Sequence, residues 1–370
     1  MSAARALADL IVANQYRIEH EQTLPPPVVQ GLVEAGVFRT HAPRDIGGLE
    51  VDALTYFEVV EALSRVDASV GWLAMINCGN FYSWFPFEVA SELFHSAEPY
   101  AVCSGNLAPK GRAVPVADGY RVSGRWSFVS GIPHADFVLL RAPVADSNDI
   151  VAVVLPRGDF EIIPTWNGLG LRGTGSHDVA VNDVLVPRER TTHLEDCYPG
   201  QLYKAWFFLL GHAAHAVGIG RAAIDALIAL SRSGPTPRAG ALASRPEVQM
   251  ALAEAEATLG AARAYVWVAT ARAYARACEP GPIPGHLRMQ LKLSMTYCVR
   301  SSAHAVKLVF DAAGPPTVYE GATLERCFRD IHTATQHTLL QTVHYQPMGQ
   351  YLFTHDLPEI PPGTISRTII

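Results

Sequence analysis

The feature that most constrains the fold is a group of short, β-branched segments enclosed between two helical regions. "YRVSGRWSFVSG", "ADFVLLRAPV", "DIVAVVLPRG", "FEIIPTW" and "HDVAVNDVLVP" all fall between residues 101 and 187, divided by Gly, Pro, Asp and Asn. Runs of this length and composition, bounded by turn residues, predict the strands of an antiparallel sheet or barrel.

On either side the apolar period changes to three and four. "PPPVVQGLVEAGVFR" has Pro at a helix start and Gly36 near its end, and "LTYFEVVEALSRVDASVGWLAMINCGNFYSWF" and "PFEVASELF" continue with further helices. Beyond residue 200 four long helical blocks are expected, at 202–232, 246–278, 286–313 and 322–353, separated by Gly- and Pro-rich breaks. Four long helices with short connections predict an antiparallel bundle. The expected architecture is α+β: an N-terminal helical domain over 1–100, a central antiparallel β-barrel or sandwich domain over 101–198, and a C-terminal four-helix bundle over 199–370.

A chain of 370 residues with 49% hydrophobic and only 17% charged residues has ample surface for such a core and for subunit contacts. Its net charge of −6 argues against a nucleic-acid binder, which needs a basic face. The cysteines show no CxxC spacing, which points to reduced thiols in a cytoplasmic protein and to no metal framework. "MSAARALADLIVANQYRIEHEQ" lacks the pattern of a secretory signal. The apolar run "AWFFLLGHAAHAVGIG" is short for a membrane span and reads as a buried helix.

Among the motifs, "GLGLRG" (168–173) matches GxGxxG in letters only. A phosphate-binding turn needs a helix after it, and here a strand pattern follows. There is therefore no visible nicotinamide-nucleotide site. His212 and His215 stand three apart on an apolar helix with no acid near, which reads as packing rather than metal binding. His332 and His337, five apart on a continuous helix, would point about 140° from each other. His337 would then share a stripe with Thr333, Gln341 and His344, and spacing alone leaves it either structural or an acid–base group poised near neutral pH. "GRWSFVSGIPHADFVLL" sets Ser130 at a glycine turn after Phe128, a stretch able to hydrogen-bond the edge of a flat heteroaromatic ring; an ordinary hairpin is the other reading.

Together, "GRWSFVSGIPHADFVLL", "GLGLRGTGSHDVAVNDVLVPRER" and "LERCFRDIHTATQH" resemble the acyl-CoA dehydrogenase superfamily in order and across nearly the whole chain. Many of its dehydrogenases carry a Glu base in a Tyr-Glu-Gly setting shortly after the Arg-Asp pair. Here that distance lands on Thr338 beside His337, no acid occurs from 331 to 354, and Tyr319-Glu320-Gly321 comes too early. The wording is instead similar to the flavin-dependent monooxygenases on this fold, the oxygenase components of two-component (group D) systems.

That resemblance implies an enzyme that takes reduced FMN or FAD from a separate flavin reductase. With O2 it would form a C4a-hydroperoxyflavin and hydroxylate an aromatic, polycyclic or heteroaromatic small molecule. An acyl-CoA dehydrogenase or oxidase with a relocated base, or an N-oxygenase of an amino substrate, are the alternatives. It also implies a cytoplasmic homotetramer with no nucleic-acid or membrane partner. By the same resemblance Ser130 and His337 would be catalytic. Phe128, Val129, Ser130, Asn106 and Leu107 would meet the flavin, with Arg172 and Arg238 reaching its phosphate across a subunit boundary. Asn80, Asn106, Trp84 and His337 would meet the substrate. Related phenol hydroxylases carry a histidine and a serine where this chain has Asn80 and Asn106, so the substrate expected is something other than a simple phenol. Trp84 lies in "FYSWFPF", a stretch able to wall an apolar pocket but read first as core packing.

Overall fold

The computed structural model describes residues 5–193, 207–232 and 242–355. The N-terminal part is helical: α1 (Ala8–Glu21), α2 (Pro26–Glu34), α3 (Ala53–Val66), α4 (Ala68–Ile76) and α5 (Phe87–Phe94). Asp52 caps α3 by accepting from the Leu54 and Thr55 amides at 3.0 and 2.9 Å. Asp67 ends α3 and caps α4, accepting from Ser69 and Val70 at 2.9 and 3.2 Å. Such caps supply acceptors that the first helical amides lack. Every residue from Ala68 to Met75 is buried, because a helix apolar all round has no face to give to water. This short helix carries Trp72 into the centre of the molecule.

Among the described residues, eight strands follow in two four-stranded sheets. One has the order β1 (Cys103–Asn106), β4 (Phe137–Pro143), β5 (Ile150–Pro156), β8 (Thr191–Thr192); the other has β2 (Arg112–Val116), β3 (Gly119–Val129), β7 (His177–Pro187), β6 (Glu161–Ile163). The two sheets share a core that includes Trp126, Val138, Leu140, Val153 and Val179. The opposite face of β4 and β5, with Phe137, Leu139, Ala152 and Val154, joins the large helical core. Covered on both faces, these strands read as unbroken apolar runs instead of alternating. The pairing is not wholly antiparallel as expected, since β1 runs parallel to β4. "CSGN" is too short and too poor in β-branched residues to announce that strand.

The C-terminal part returns to helices: α6 (Gly211–Arg232), α7 (Pro246–Ala277), α8 (Gly285–Ala313), α9 (Thr323–Ala334) and α10 (Tyr345–Thr354). α6 is long and apolar enough to cross a membrane by composition, yet it is packed against α3, α4, α8 and α9. The expected fourth long block is broken. α9 stops at Ala334, and two 3₁₀ turns, Thr338–Leu340 and Thr342–His344, precede α10. The Thr335 hydroxyl donates to the His332 carbonyl at 2.8 Å, competing for an acceptor that the next helical turn would use. "GLGLRG" leads through a 3₁₀ turn, Arg172–Thr174, into β7 and opens no helix.

A candidate active site around Trp72

The glycine turn after β3 is built by a bulge. Register slips between Trp126 and Val129, and Phe128 adopts φ 62, a left-handed conformation uncommon for a bulky residue. Strain of this kind gathers at functional sites. Its ring stays 70% exposed, edge-to-face with Trp166 at 6.3 Å. Gly131 has φ 78, and a Cβ there would stand 2.6 Å from Asn77 Oδ1, so both the conformation and the space require glycine.

Ser130 is buried beneath this turn. Trp72 Nε1 donates to Ser130 Oγ at 3.1 Å, Ser130 and Ser176 hydroxyls lie 2.8 Å apart, and those of Ser176 and Thr174 lie 2.7 Å apart. Thr174 Oγ1 donates to the Leu171 carbonyl at 2.8 Å. That last bond directs the whole chain, since each hydroxyl has one proton. Ser176 must donate to Thr174, and Ser130 to Ser176. Ser130 Oγ is thereby left as an acceptor, with its proton engaged. Its carbonyl accepts from the Ser104 hydroxyl.

Three imidazoles surround the Trp72 indole edge-on: His212 at 5.6 Å, His215 at 5.3 Å and His337 at 5.7 Å between centroids. His212 and His337 are 4.7 Å apart. His212 Nδ1 bonds the Leu209 carbonyl at 3.0 Å and His215 Nε2 the Ala68 carbonyl at 2.9 Å, so each donates there. Their other nitrogens, His212 Nε2 and His215 Nδ1, are enclosed without a partner among the described residues. His337 caps the 3₁₀ turn, its Nδ1 accepting from the Leu339 amide at 3.4 Å, which assigns the proton to Nε2. Burial lowers His215 and His337 to about 4 and takes His212 well below the ordinary range. For His337 the charges of Lys292 and His344 add to the burial. All three rings are neutral at pH 7. Of the two readings that spacing left open for His337, enclosure does not favour an imidazole poised near neutrality, because it disfavours the imidazolium.

The structure thus brings Ser130 and His337 together through Trp72. It also replaces the helical stripe expected for His337, since that residue lies past the end of α9 on a turn. His332 packs on Phe328 at 4.3 Å. Val129 points into the core between the sheets, so only its backbone is free for a ligand. Asn106 is the last residue of β1. Its amide donates to Ser127 O at 2.6 Å and accepts from Ala108 N at 2.8 Å, so both ends hold backbone. The Leu107 carbonyl accepts from Arg141 at 3.0 Å. Arg172 is held by Glu19 and by the carbonyls of Glu19 and Gly168. Arg238 lies outside the described residues. Asn80 and Trp84 are buried, Trp84 edge-to-face with Phe81 at 5.3 Å, which is the core reading of that stretch.

Sequence reasoning missed Trp72, Ser104, Asn77, Ser176 and Lys292. Asn77, and not Asn80, is the amide against the Ser130–Gly131 turn; its Oδ1 has no partner among the described residues and its Nδ2 donates to Cys103 O at 3.0 Å. The only available signal was "DASVGWLAMIN", a helix with no polar face but with an indole and an amide that must each find partners when buried.

Comparison with known proteins finds the same fold over 98% of the chain. The family model for "Acyl-CoA dehydrogenase, N-terminal domain" matches residues 1–85 and that for "Acyl-CoA dehydrogenase, C-terminal domain" residues 210–342. An indole-3-acetate monooxygenase of Pseudomonas putida is 32% identical over 90% of this chain and 88% of its own. The oxygenase subunit HsaA of a flavin-dependent monooxygenase from Rhodococcus jostii is 26% identical over 91% and 93%. The crystal structure of a 3-HSA hydroxylase from Rhodococcus sp. RHA1 superposes with a TM-score of 0.90 at 25% identity, covering 98% of both chains.

Proposed function

The chain belongs to the flavin-dependent monooxygenases built on the acyl-CoA dehydrogenase fold, and from that premise we propose how its own residues serve the oxygenase half of a two-component system. The substrate class is an aromatic or heteroaromatic small molecule. The single observation that carries the reading is the convergence of Ser130 and His337 on Trp72, beneath an exposed Phe128 ring.

The residues fit a flavin. Phe128 offers an open ring face beside Trp166 for a flat heteroaromatic system. Beneath it, Ser130 Oγ has its proton committed to Ser176 and can offer a ligand only an acceptor, the role required by a ring N–H, and reduced flavin carries one. Bound reduced flavin would supply the electrons that activate O2 for transfer of one oxygen atom. Everything else falls to the protein. Phe128 and the Val129–Ser130 backbone would hold the ring, and Trp72 with the buried histidines would exclude water. His337, neutral and protonated at Nε2, would hold a hydrogen bond to the substrate or oxygen; with its pKa near 4 it donates without becoming charged. The titratable groups that act on His337 are Lys292 and His344, and neither is a carboxylate. That supports oxygenation over removal of an α-proton.

We also read 1–100, 101–198 and 199–370 as three domains, the second a β-sandwich and the third a four-helix bundle. In support, the two sheets share one core, and α6 to α9 pack on one another. The protein would be a cytoplasmic homotetramer served by a separate flavin reductase. Exposed apolar residues Val318, Tyr319, Leu352 and Phe353 would find cover between subunits.

The test supplies the purified protein with reduced FMN or FAD and an indole panel under ¹⁸O2. One labelled oxygen atom in the product is the expected result. Flavin oxidation with hydrogen peroxide as the sole oxygen product, across the panel and with either flavin, would overturn the reading.

A further inference from the structure

Lys292 lies on α8 and is 5% exposed, although lysine is almost never buried without a counter-charge. Among the described residues its ammonium has neither a carboxylate partner nor a hydrogen-bond acceptor. Burial alone moves its amine, down to about 8. At pH 7 most of it remains charged. α8 packs against α6, which carries His212, and against both 3₁₀ turns that carry or follow His337. Burial lowers His212, His337 and His344, and the Lys292 charge adds to that lowering in each. The cluster is one-signed: a cation faces three neutral imidazoles. His344 Nε2 bonds the Thr338 carbonyl at 2.7 Å, and the enclosed His212 Nε2 has no partner.

Burying a cation without a counter-ion is unfavourable, and such groups gather where a ligand completes them. Packing alone would be better served by Leu or Met, which fill the same space without that cost.

We propose that Lys292 receives an anionic oxygen of the aromatic substrate, and so selects acidic aromatics over neutral ones of the same shape. The proposal rests on the monooxygenase reading and deepens it by naming the charge of the substrate. A carboxylate side chain or an ionised ring hydroxyl would satisfy the same ammonium. Either pairing would also relieve the repulsion that Lys292 exerts on any proton approaching His337.

The experiment measures anaerobic binding with reduced FMN present, using two matched pairs: indole-3-acetate against indole-3-acetamide, and 4-nitrophenolate against nitrobenzene. The readout is the ratio of affinities within each pair for the wild-type protein, Lys292→Met and Lys292→Arg, with thermal melts to confirm folding. The expected result is at least a tenfold preference for the anion in one pair. That preference falls to about one in Lys292→Met and is largely restored in Lys292→Arg. The pair that shows it identifies the oxygen as carboxylate or phenolate. No preference in either pair, or a preference that survives Lys292→Met, would overturn the proposal. A parallel titration with reduced FMN and FAD alone separates the two levels of failure. If neither flavin binds, the monooxygenase reading falls and this inference with it. Intact flavin binding without a Lys292-dependent preference sinks the inference alone.

Discussion

The indole N–H of Trp72 donates to the hydroxyl oxygen of Ser130 at 3.1 Å, across 58 residues of sequence. This bond ties the buried helix α4 to the glycine turn after β3, and it is the first step of a directed chain through Ser176 and Thr174 to the Leu171 carbonyl.

Removing the acceptor should therefore cost stability out of proportion to the atoms lost. Ser130→Ala leaves Trp72 Nε1 buried without a partner, a penalty of about 1–3 kcal/mol. In a Trp72→Phe background that donor is gone and the Ser130→Ala cost should shrink by about 1 kcal/mol. Urea denaturation of the four proteins measures the coupling. Strict additivity would mean that the bond does not form.

The direction of the hydroxyl chain predicts a change in flavin preference. In Ser176→Ala the Ser130 proton is released and its hydroxyl can donate as well as accept. The affinity for oxidised flavin relative to reduced flavin should rise by roughly tenfold, the worth of one hydrogen bond of about 1–1.5 kcal/mol. Equilibrium titration with both redox forms reads the ratio, and an unchanged ratio contradicts the assigned direction.

His337→Ala should lower product formation by roughly 10²–10⁴-fold, in the range for loss of a proton-handling group. Flavin oxidation should continue and end in hydrogen peroxide. Since the ring is neutral down to about pH 4, the wild-type rate should show no His337 titration between pH 6 and 8. An inflection near 6.5 that disappears in His337→Ala would refute the neutral assignment.

Acid should destabilise the fold, and the sign follows from the buried groups. His41 is lowered to about 3, His134, His215 and His337 to about 4, and His212 further than its ordinary 6.5 would allow. Between pH 6.5 and 4 the unfolded chain protonates these five while the native state does not. Asp330, raised to about 7, and Asp67, also raised by burial, work in the opposite sense: their contribution is present in acid and is lost as pH rises through the folded values. Five against two leaves the unfolded state binding more protons, so stability falls as pH falls, by about 1.4 kcal/mol per pH unit for each net proton. Urea midpoints at pH 7.5, 6 and 5 should decline in that order.

Gly170→Ala should destabilise by about 1–3 kcal/mol, the usual cost of forcing atoms into a packed site. Its Cβ would lie 2.4 Å from the Arg329 carbonyl oxygen, where backbone cannot yield. The same contact is braced by Asp330, which accepts from the Leu171 amide at 2.6 Å. A neutral substitution would show that α9 can move away from this segment.

The order of helices, strands and helices was legible in residue periodicity, because each element's spacing reports which of its sides meets a core. The turn at Phe128–Gly131 was legible too, since glycine marks a backbone that other residues resist. Periodicity misled at 322–353, where apolar spacing continued through Thr335 although the threonine hydroxyl had already taken a helical carbonyl. The partners of the site were decided by tertiary structure alone. Trp72 and Lys292 sit on helices whose patterns look like ordinary core, and their distinction is what they lack or find after burial: an acceptor supplied by a turn at the end of a distant strand, and a counter-charge that the described residues do not provide. Local spacing determines which face turns inward. What that face meets depends on packing between elements distant in the chain, and the protonation of the buried histidines follows from that enclosure.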